Sequence, residues 1–377
     1  MHVVNCRNVN DGLPAALDLL RVHGVREESR NGPVLRMPCP VSTVFARPME
    51  RVLFAPWRDA NPFFHCCEAI WMLAGRDDLK QLTPYVKRMA EYSDDGGVTQ
   101  PAAYGKRWRN WEVREGGTAY NWGDQLDWAV ERLRKDTGDR RVVIQMWDPP
   151  TDKWAAQSGG KDVPCNLTML PWISGGALHL TVFNRSHDII WGLFGANVVH
   201  FSVAQEYLAG RLGLGVGTLT FISNNFHAYE ATMPDIAADY NATRNPYSGL
   251  AFPFSDQPAI KPDVQPYSMW TDWAQLKTTD TDRERILQED LRVFFEHGAV
   301  EAATKARWPW LRRVAVPLAL AHQHWKGGRG EARYTGALEI LERCAAPDWR
   351  LAAEQWVRRR YDRWKVKADD GMIHDQG

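Results

Sequence analysis

Apolar side chains recur along much of this chain with the period of an amphipathic helix. That spacing predicts helices over residues 13–23, 63–75, 121–134 and 197–213. Gly75 stands at the end of the second of these segments, where a glycine commonly terminates a helix. The first half of the chain is therefore expected to hold several helices.

Three other stretches are rich in β-branched and aromatic residues, a composition that favours extended structure. They predict strands over residues 140–148, 177–186 and 218–226. Helices and strands both occur over this part of the chain, and we interpret it as an α+β core.

Residues 244–280 are rich in Pro, Ser, Asp and Thr, which is typical of a domain boundary or a long surface connection. Beyond them, residues 282–298 and 332–366 again show helical periodicity, with many arginines. The chain is therefore predicted to divide into an α+β core domain over residues 1–270 and a helical C-terminal extension over residues 271–377.

The composition is that of a folded protein, since 44% of the residues are apolar and 18 are tryptophan. The 46 basic and 46 acidic residues cancel, which disfavours nucleic-acid binding through bulk charge. The arginines Arg312-Arg313 and Arg358–Arg360 of the extension form either solvated helix faces or a docking surface for a partner or nucleic acid.

No apolar run of about 18 residues occurs, so no membrane span is expected. The six cysteines lack a repeating spacing, and the N-terminus lacks a secretory signal, which together predict a cytoplasmic protein with reduced thiols.

Cys165 is the first candidate for chemistry, although a single cysteine is more often a buried structural residue. If the three predicted strands share a sheet, Arg140, Arg141 and Arg185 can converge on an anion near it. An arginine beside a thiol lowers its pKa and so favours the nucleophilic thiolate. The His65–Glu68 segment is not expected to bind a metal, because adjacent cysteines point in different directions and no second cluster completes four ligands.

Several segments around Cys165 resemble the thymidylate synthase and pyrimidine nucleotide hydroxymethylase family, in the family's order. They are Glu68–Leu73, Ala103–Arg109, Asp139–Arg141, Pro164-Cys165, Arg185–Asp188, Gly192-Leu193, Asn197 and His227–Tyr229. The resemblance implies a thymidylate-synthase-like α+β fold, in which helices flank a twisted β-sheet, and a homodimer formed through the sheet. Because hydroxymethylases of this type supply modified bases for bacteriophage DNA, the expected location is the cytoplasm of a bacterium or of a phage-infected host.

The same resemblance implies a role for each matching residue. Cys165 corresponds to the nucleophile that adds to C6 of a pyrimidine nucleotide, and Glu68 and Tyr104 to its acid–base partners. The phosphate ligands would be Arg185 and Ser186 of the same subunit, Arg140 and Arg141 of the partner subunit, and Arg30. His227 and Tyr229 correspond to ligands of the sugar 3′-hydroxyl, and Asp188 and Gly192 to the folate site. Structural alternatives remain open: a core salt bridge for Glu68, a packed turn for Tyr104 and a helix N-cap for Asp188.

The residue that reads the base depends on a one-residue insertion within Gly192–Asn197. Counted from Gly192, Ala196 takes that place, whereas counted back from His227, Asn197 does. We favour Asn197, because the Gly-containing loop can absorb an insertion more easily than the helix after it. An Asn amide can donate to O4 of uracil and accept from N3–H, so dUMP is the favoured substrate and dCMP an alternative.

Three departures from the family bear on the product. Asn166 stands where most thymidylate synthases carry His, no tryptophan lies between Trp71 and Trp108, and residues 367–377 are too polar to form the usual apolar tail. The last two departures leave the activated intermediate less shielded from water, which favours hydroxymethylation over reductive methylation. Trp308 or Trp310 of the extension could restore the missing cover.

The sequence therefore predicts an enzyme that transfers a one-carbon unit from 5,10-methylenetetrahydrofolate to C5 of a pyrimidine nucleotide 5′-monophosphate. A hydroxymethylase is favoured, with a thymidylate synthase as the alternative. A non-catalytic nucleotide-binding protein is a further alternative, against which the intact Cys165 argues, since binding alone needs no thiol.

Overall fold

The computed structural model describes residues 1–115, 118–121, 123–233, 244–247, 250–251, 264–271, 273 and 278–369. The chain divides into two compact units. The first comprises Met1–Arg58 and Glu68–Asp263, and the second comprises Asp59–Cys67 and Val264–Gly377.

The described strands all belong to the first unit. They are β1 His2–Cys6, β2 Val25–Ser29, β3 Gly32–Arg36, β4 Val41–Phe45, β5 Glu112–Glu115, β6 Thr118–Asn121, β7 Ile144–Gln145, β8 Asn166–Ser174, β9 Ala177–Asn184, β10 His187–Asp188, β11 Gly215–Ser223, β12 Phe226–Tyr229, β13 Arg244–Asn245 and β14 Leu250–Ala251. Strands β5 and β6 form one two-stranded ribbon, and β13 and β14 form another.

A six-stranded mixed sheet with the order β1-β4-β11-β9-β8-β7 forms the centre of the first unit. Side chains alternate along its middle strand β9: Leu178, Leu180 and Val182 are buried, whereas the residues between them are half-exposed. One face of the sheet is therefore packed and the other is partly open to solvent.

A second sheet has the strand order β10-β12-β3-β2, and its strand β10 follows β9 directly in the chain. In it, Asp188 of β10 pairs with His227 of β12. The β2–β3 hairpin turns at Arg30-Asn31 and closes with Gly32, whose φ of 108° favours glycine. This sheet therefore gathers three segments that the sequence singled out.

Helices accompany the sheets in the first unit and make up most of the second unit. Those of the first unit are α1 Val9–His23, α3 Tyr104–Arg109, α4 Gln125–Lys135, α5 Pro149–Ser158 and α6 Val198–Leu212, while α2, Pro62–Leu73, contributes to both units. Those of the second unit are α7 Asp280–His297, α8 Ala299–Lys305, α9 Val316–Gly327, α10 Gly330–Leu341 and α11 Pro347–Asp369.

A π-helical segment, Ile189–Asn197, leads directly into α6. The Asp188 side chain caps it by accepting from the backbone N–H groups of Ile190 and Trp191, at 3.0 and 3.2 Å. A π-helical turn accommodates one extra residue in a helix. The one-residue insertion that the sequence indicates thus falls in a geometry that can absorb it.

Three predicted elements were wrong in extent. Only Ile144–Gln145 of the predicted strand 140–148 pairs in the sheet, because the chain turns away at Asp148 and Pro149 to begin α5. The strand predicted over 218–226 ends at Ser223, and Phe226 already belongs to the second sheet. The helix predicted over 121–134 begins only at Gln125, because Asn121 is the last residue of β6. The helical periodicity over 332–366 corresponds to two helices, α10 and α11, separated before Pro347, which opens α11. The predicted connection over 244–280 falls largely outside the described residues.

In the second unit, Asp59 accepts hydrogen bonds from three arginines of α11, Arg359, Arg360 and Arg363, at 2.9 to 3.2 Å. The Arg360 guanidinium also lies 3.4 Å from the centre of the Trp356 ring. Part of the arginine run near residue 360 is thus engaged inside this unit. Docking of a partner by the extension stays a prediction.

Candidate active site

Cys165 lies immediately before β8, at the point where the register between β8 and β9 shifts. Its backbone carbonyl accepts from the N–H of Arg185 at 2.9 Å. The Arg185 guanidinium donates to the carbonyls of Pro164 and Val163, both at 2.8 Å, and its Nη2 lies 3.7 Å from the Cys165 Sγ. The predicted nucleophile and one predicted phosphate ligand are therefore held side by side by the backbone around them.

Charges of both signs act on the Cys165 thiol. Burial is the largest effect and raises its pKa, and the carboxylates of Asp162 and Asp188 add to the increase. Arg185 and Arg30 lower the pKa of the thiol. Arg30, exposed on its hairpin, is thus close enough to influence Cys165 electrostatically.

Asp162 was not anticipated from the sequence. Its Oδ2 accepts from the backbone N–H of Ala102 at 2.9 Å. Burial raises the pKa of Asp162 to about 6, so this carboxyl exchanges its proton within the range in which enzymes work.

The Tyr104 hydroxyl accepts from the backbone N–H groups of Cys165 and Asn166, at 3.2 and 3.3 Å. Burial raises the pKa of Tyr104, and the nearby Cys165 and Asp162 raise it further, so the phenol stays protonated. Helix α3 can carry Tyr104 to this position because of Gly105. A Cβ there would lie 2.2 Å from the Met72 carbonyl oxygen, so any other residue would push α3 away from α2.

Glu68 of α2 is buried and paired with a residue that the sequence did not single out. Its Oε2 lies 2.8 Å from Nε2 of His200, which is also buried, on α6. The other imidazole nitrogen, Nδ1 of His200, has no hydrogen-bond partner among the described residues. Carboxyl and imidazole groups are the side chains that most often act as general acids and bases in enzymes, so this pair is a candidate for proton transfer.

Asn197 is likewise held by an unanticipated neighbour. Its Nδ2 lies 3.0 Å from Nε2 of His187, and Nδ1 of His187 lies 2.8 Å from the Ser223 hydroxyl. Burial lowers the pKa of His187 to about 3, so the imidazole is neutral. Gly192 borders this pair, since a Cβ built on it would be 3.5 Å from His187 Cδ2 and 3.6 Å from Asn197 Nδ2.

Asp188, His227 and Tyr229 lie together on the second sheet. The His227 and Tyr229 rings meet edge to face at 5.4 Å, and the Tyr229 hydroxyl accepts from Asn31 at 3.4 Å. Burial raises the pKa of Asp188 and lowers that of His227, which favours the uncharged form of each. Both predicted roles of Asp188 remain compatible with this position, because capping leaves the carboxyl free to accept further hydrogen bonds.

Arg140 and Arg141 lie on the exposed turn before β7. Arg141 donates to Asp139 through its backbone N–H and its guanidinium, at 2.8 to 3.1 Å, and these bonds lower the pKa of Asp139. Within the described residues, the two arginines make no hydrogen bond to the segment around Cys165. Ser186 is half-buried between Arg185 and His187.

Neither a metal site nor a membrane span emerges from the described part of the chain. No group of three or more His, Cys, Asp or Glu side chains there could hold a metal ion. No described helix combines the length and the apolar character needed to cross a bilayer.

Comparison with known proteins identifies the family. A family model described as thymidylate synthase matches residues 61–264. The chain belongs to the thymidylate synthase family. It is 41% identical to the deoxyuridylate hydroxymethyltransferase of Pseudomonas phage M6 over 380 residues, which cover 100% of each chain.

Two further relatives match about half of the chain. The deoxyuridylate hydroxymethyltransferase of Bacillus phage SP01 is 39% identical over 191 residues, covering 50% of this chain and 49% of that protein. A thymidylate synthase of Symbiobacterium thermophilum is 30% identical over 190 residues, covering 48% and 62%. The predicted resemblance, the α+β fold class and the assignment as a transferase acting at C5 of a pyrimidine nucleotide are thereby confirmed.

Within this family, Asn166 replaces the histidine that usually follows the nucleophile, and the structure gives it a buried partner. The Asn184 amide nitrogen donates to Asn166 Oδ1, while the amide nitrogen of Asn166 is left without a partner among the described residues. An amide pair exchanges no proton, so proton transfer near the base must rely on other groups. The buried Glu68–His200 contact, by contrast, combines two groups of the kind that act as acids and bases in enzymes.

Proposed function

We propose that this protein is a deoxyuridylate hydroxymethyltransferase, which converts dUMP, 5,10-methylenetetrahydrofolate and water into 5-hydroxymethyl-dUMP and tetrahydrofolate. The full-length identity of 41% with the phage M6 enzyme is the observation that carries this proposal. The folate supplies the one-carbon unit as its methylene group.

Cys165 starts the reaction by adding its sulfur to C6 of the uracil ring. Addition converts C5 into an enolate carbon, which can then form a bond to the methylene carbon. Arg185 supports this step, since its fixed guanidinium beside Sγ lowers the pKa of the thiol and its remaining donors can bind a phosphate oxygen. Ser186 and Arg30 would add donors to the same phosphate.

The C5 proton passes through the Tyr104 hydroxyl and water to the folate nitrogen whose bond to the methylene carbon breaks. Tetrahydrofolate then departs and leaves an exocyclic methylene on the ring. Water then bonds through its oxygen to that carbon and gives its proton to Glu68, directly or through a second water. The electron pair returns through the ring, the bond between C6 and the Cys165 sulfur breaks, and the thiolate is regenerated. No oxidation or reduction is needed, so the folate is released as tetrahydrofolate and not as dihydrofolate. The Glu68–His200 contact supports this role, because the imidazole can share the proton that the carboxyl receives.

Shielding from water decides between this product and dTMP, whose formation needs a hydride from the folate. Among the tryptophans of the extension, Trp308 donates through Nε1 to the Met269 carbonyl at 2.9 Å, and its ring stacks on Trp310 at 5.3 Å, both contacts inside the second unit. The polar tail lies mostly outside the described residues. No tryptophan occurs between Trp71 and Trp108 either, where the family places the one that covers the folate. These observations favour capture of the methylene by water.

A homodimer is part of the proposal, with Arg140 and Arg141 serving the partner's nucleotide phosphate. The half-open face of the central sheet supports it. This face carries Trp172, which is 48% exposed and stacks on His179 at 4.2 Å, together with the half-exposed Phe183 and Ile222. Partly exposed aromatic and aliphatic side chains grouped on a sheet face are often covered by another subunit.

The test is product analysis with dUMP and methylenetetrahydrofolate in water enriched in oxygen-18. The expected product is 5-hydroxymethyl-dUMP carrying the heavy oxygen, with no rise in the absorbance of dihydrofolate. Formation of dTMP with an equal amount of dihydrofolate would instead establish a thymidylate synthase. Binding of dUMP without turnover would favour the non-catalytic alternative. Cys165→Ser protein serves as the inactive control for background reaction between the reagents.

A further inference from the structure

A buried chain of three side chains, Ser223, His187 and Asn197, ends at the residue expected to read the base. His187 is 1% exposed, and each of its ring nitrogens faces one polar atom. Nδ1 lies 2.8 Å from the Ser223 hydroxyl, and Nε2 lies 3.0 Å from Nδ2 of Asn197. Neither His187 nor Ser223 is among the residues to which the resemblance to the family gives a role.

The protonation of this chain follows from its chemistry. Burial keeps His187 neutral, so its ring has one donor and one acceptor nitrogen. An amide nitrogen only donates, and therefore Nε2 accepts from Asn197. The ring proton is then on Nδ1, where it is donated to the Ser223 hydroxyl.

This arrangement fixes which way the Asn197 amide faces. One N–H is used on His187, which leaves Oδ1 and the second N–H for a ligand. Uracil offers a carbonyl oxygen at C4 and an N–H at N3, which match that donor and acceptor. Cytosine offers an amino group and an unprotonated N3, which require the amide to be turned over. Turning it over would place Oδ1 against Nε2, which requires the ring proton to move from Nδ1 to Nε2 and the Ser223 hydroxyl to change from acceptor to donor.

We propose that His187 is a specificity-determining positioning residue, which holds the Asn197 amide in the orientation that accepts uracil and disfavours cytosine, with the Ser223 hydroxyl as the partner of the other ring nitrogen. The inference rests on the proposed function, because it takes dUMP as the substrate. Discrimination arises from the tautomer of a residue that need not touch the base.

The first test replaces His187 by Phe, which keeps a ring in the cavity but removes the acceptor. The amide of Asn197 can then turn over, so the ratio of kcat/KM for dUMP to that for dCMP should fall at least tenfold. A purely structural defect would reduce both values and leave the ratio unchanged, and that result would overturn the inference. His322→Phe is the matched control, because His322 is another buried imidazole whose pKa is lowered to about 3, and it belongs to the second unit. Its ratio should equal that of the wild type.

Two further measurements keep the inference testable if His187→Phe fails to fold. In the wild-type protein, the nitrogen NMR shifts of His187 should show a proton on Nδ1, and a proton on Nε2 would overturn the inference. Ser223→Ala removes the acceptor for that proton, so its dUMP-to-dCMP ratio should fall in the same direction as for His187→Phe, and an unchanged ratio would count against the inference. Failure of the proposed function would be recognised separately. If the wild-type enzyme methylates dUMP instead of hydroxymethylating it, the ratio of kcat/KM for dUMP to that for dCMP can still be measured for every variant.

Discussion

Nε2 of His200 lies 2.8 Å from Oε2 of Glu68, and both side chains are buried. The two residues are 132 positions apart in the chain, on α6 and α2. A carboxylate buried in this way needs a hydrogen-bond donor, and a histidine, unlike an arginine, can also exchange the proton. The contact therefore satisfies the buried carboxylate and, in the proposed mechanism, also takes part in proton transfer.

His200→Gln separates these two roles. The glutamine amide can still donate to Glu68, but it cannot take a proton from it. We expect kcat for the hydroxymethylated product to fall by about 100-fold, the lower range for loss of an acid–base group, while the Kd for dUMP changes little. His322→Gln, a substitution of a buried histidine in the second unit, is the control and should retain kcat. An unchanged kcat in His200→Gln would restrict His200 to a structural role.

Cys165→Ser tests the nucleophile. A serine hydroxyl is far less acidic than a thiol, and the charges around Cys165 that favour a thiolate do not bring a hydroxyl into its ionisable range. Turnover should be abolished, whereas dUMP should bind within about tenfold of the wild type, because phosphate and sugar contacts are made by other residues. Mass spectrometry of the protein with a 5-fluorinated nucleotide and folate should show a covalent adduct for the wild type only. Near-wild-type turnover by the serine variant would rule out the covalent mechanism.

The local part of this site was predictable from sequence, and its long-range polar pairs were not. Cys165 and Arg185 are adjacent because β8 and β9 are neighbouring antiparallel strands, and their motifs stand at corresponding ends of the two strands. His200 and Ser223 lie in apolar surroundings, in a helix and a strand, where no local pattern distinguishes a functional polar residue from a structural one. Their partners are visible only once the chain is folded.

The errors in the predicted elements have a similar origin. The segment 140–148 has the β-branched composition of a strand, but Pro149 and Pro150 turn it away from the sheet after two paired residues. The periodicity of residues 332–366 continues across Pro347, since that proline begins a new helix rather than interrupting one. In both cases a proline at an element boundary overrides a continuous hydrophobic pattern.

Subunit mixing tests whether the active site is shared. Cys165→Ser and Arg141→Ala proteins should each be inactive or nearly so, because one lacks the nucleophile and the other a phosphate ligand. If Arg141 serves the neighbouring subunit, a mixed dimer contains one site with both residues intact. Activity should then return to as much as about half of the wild-type value per mixed dimer. Light scattering and mass spectrometry would verify subunit exchange, and verified exchange without recovered activity would show that each site is built from a single chain.

Asp162→Asn tests the acidic residue beside Cys165 through its effect on catalysis. The Asn Oδ1 can keep the hydrogen bond from Ala102, while the negative charge that raises the pKa of the thiol is removed. The thiolate should form at lower pH, so the rising part of the profile of kcat/KM against pH should shift toward acid. A profile identical to that of the wild type would show that the charge of Asp162 is not felt at Cys165.

The same variant should change how stability depends on pH. The pKa of Asp162 is about 6 in the folded protein, above the ordinary value of 3.8, so its ionisation destabilises the folded state. In the wild type, the stability associated with the protonated carboxyl is present below about pH 4 and is lost as the pH rises through 6. Asp162→Asn cannot ionise, so its free energy of unfolding should exceed that of the wild type by up to about 3 kcal/mol above pH 6 and by almost nothing near pH 4.

Urea unfolding at pH 4 and pH 7.5 measures this difference directly. Asp136→Asn is the matched control, because Asp136 is an exposed aspartate that also accepts a backbone N–H, from Gly138 at 2.9 Å. Its effect on stability should be small at both pH values. An equal gain for Asp162→Asn at the two pH values would mean that the amide packs better than the carboxyl. If the buried Asp162 carboxyl loses its proton near pH 6 in the folded wild type, the gain in the free energy of unfolding should appear only at pH 7.5.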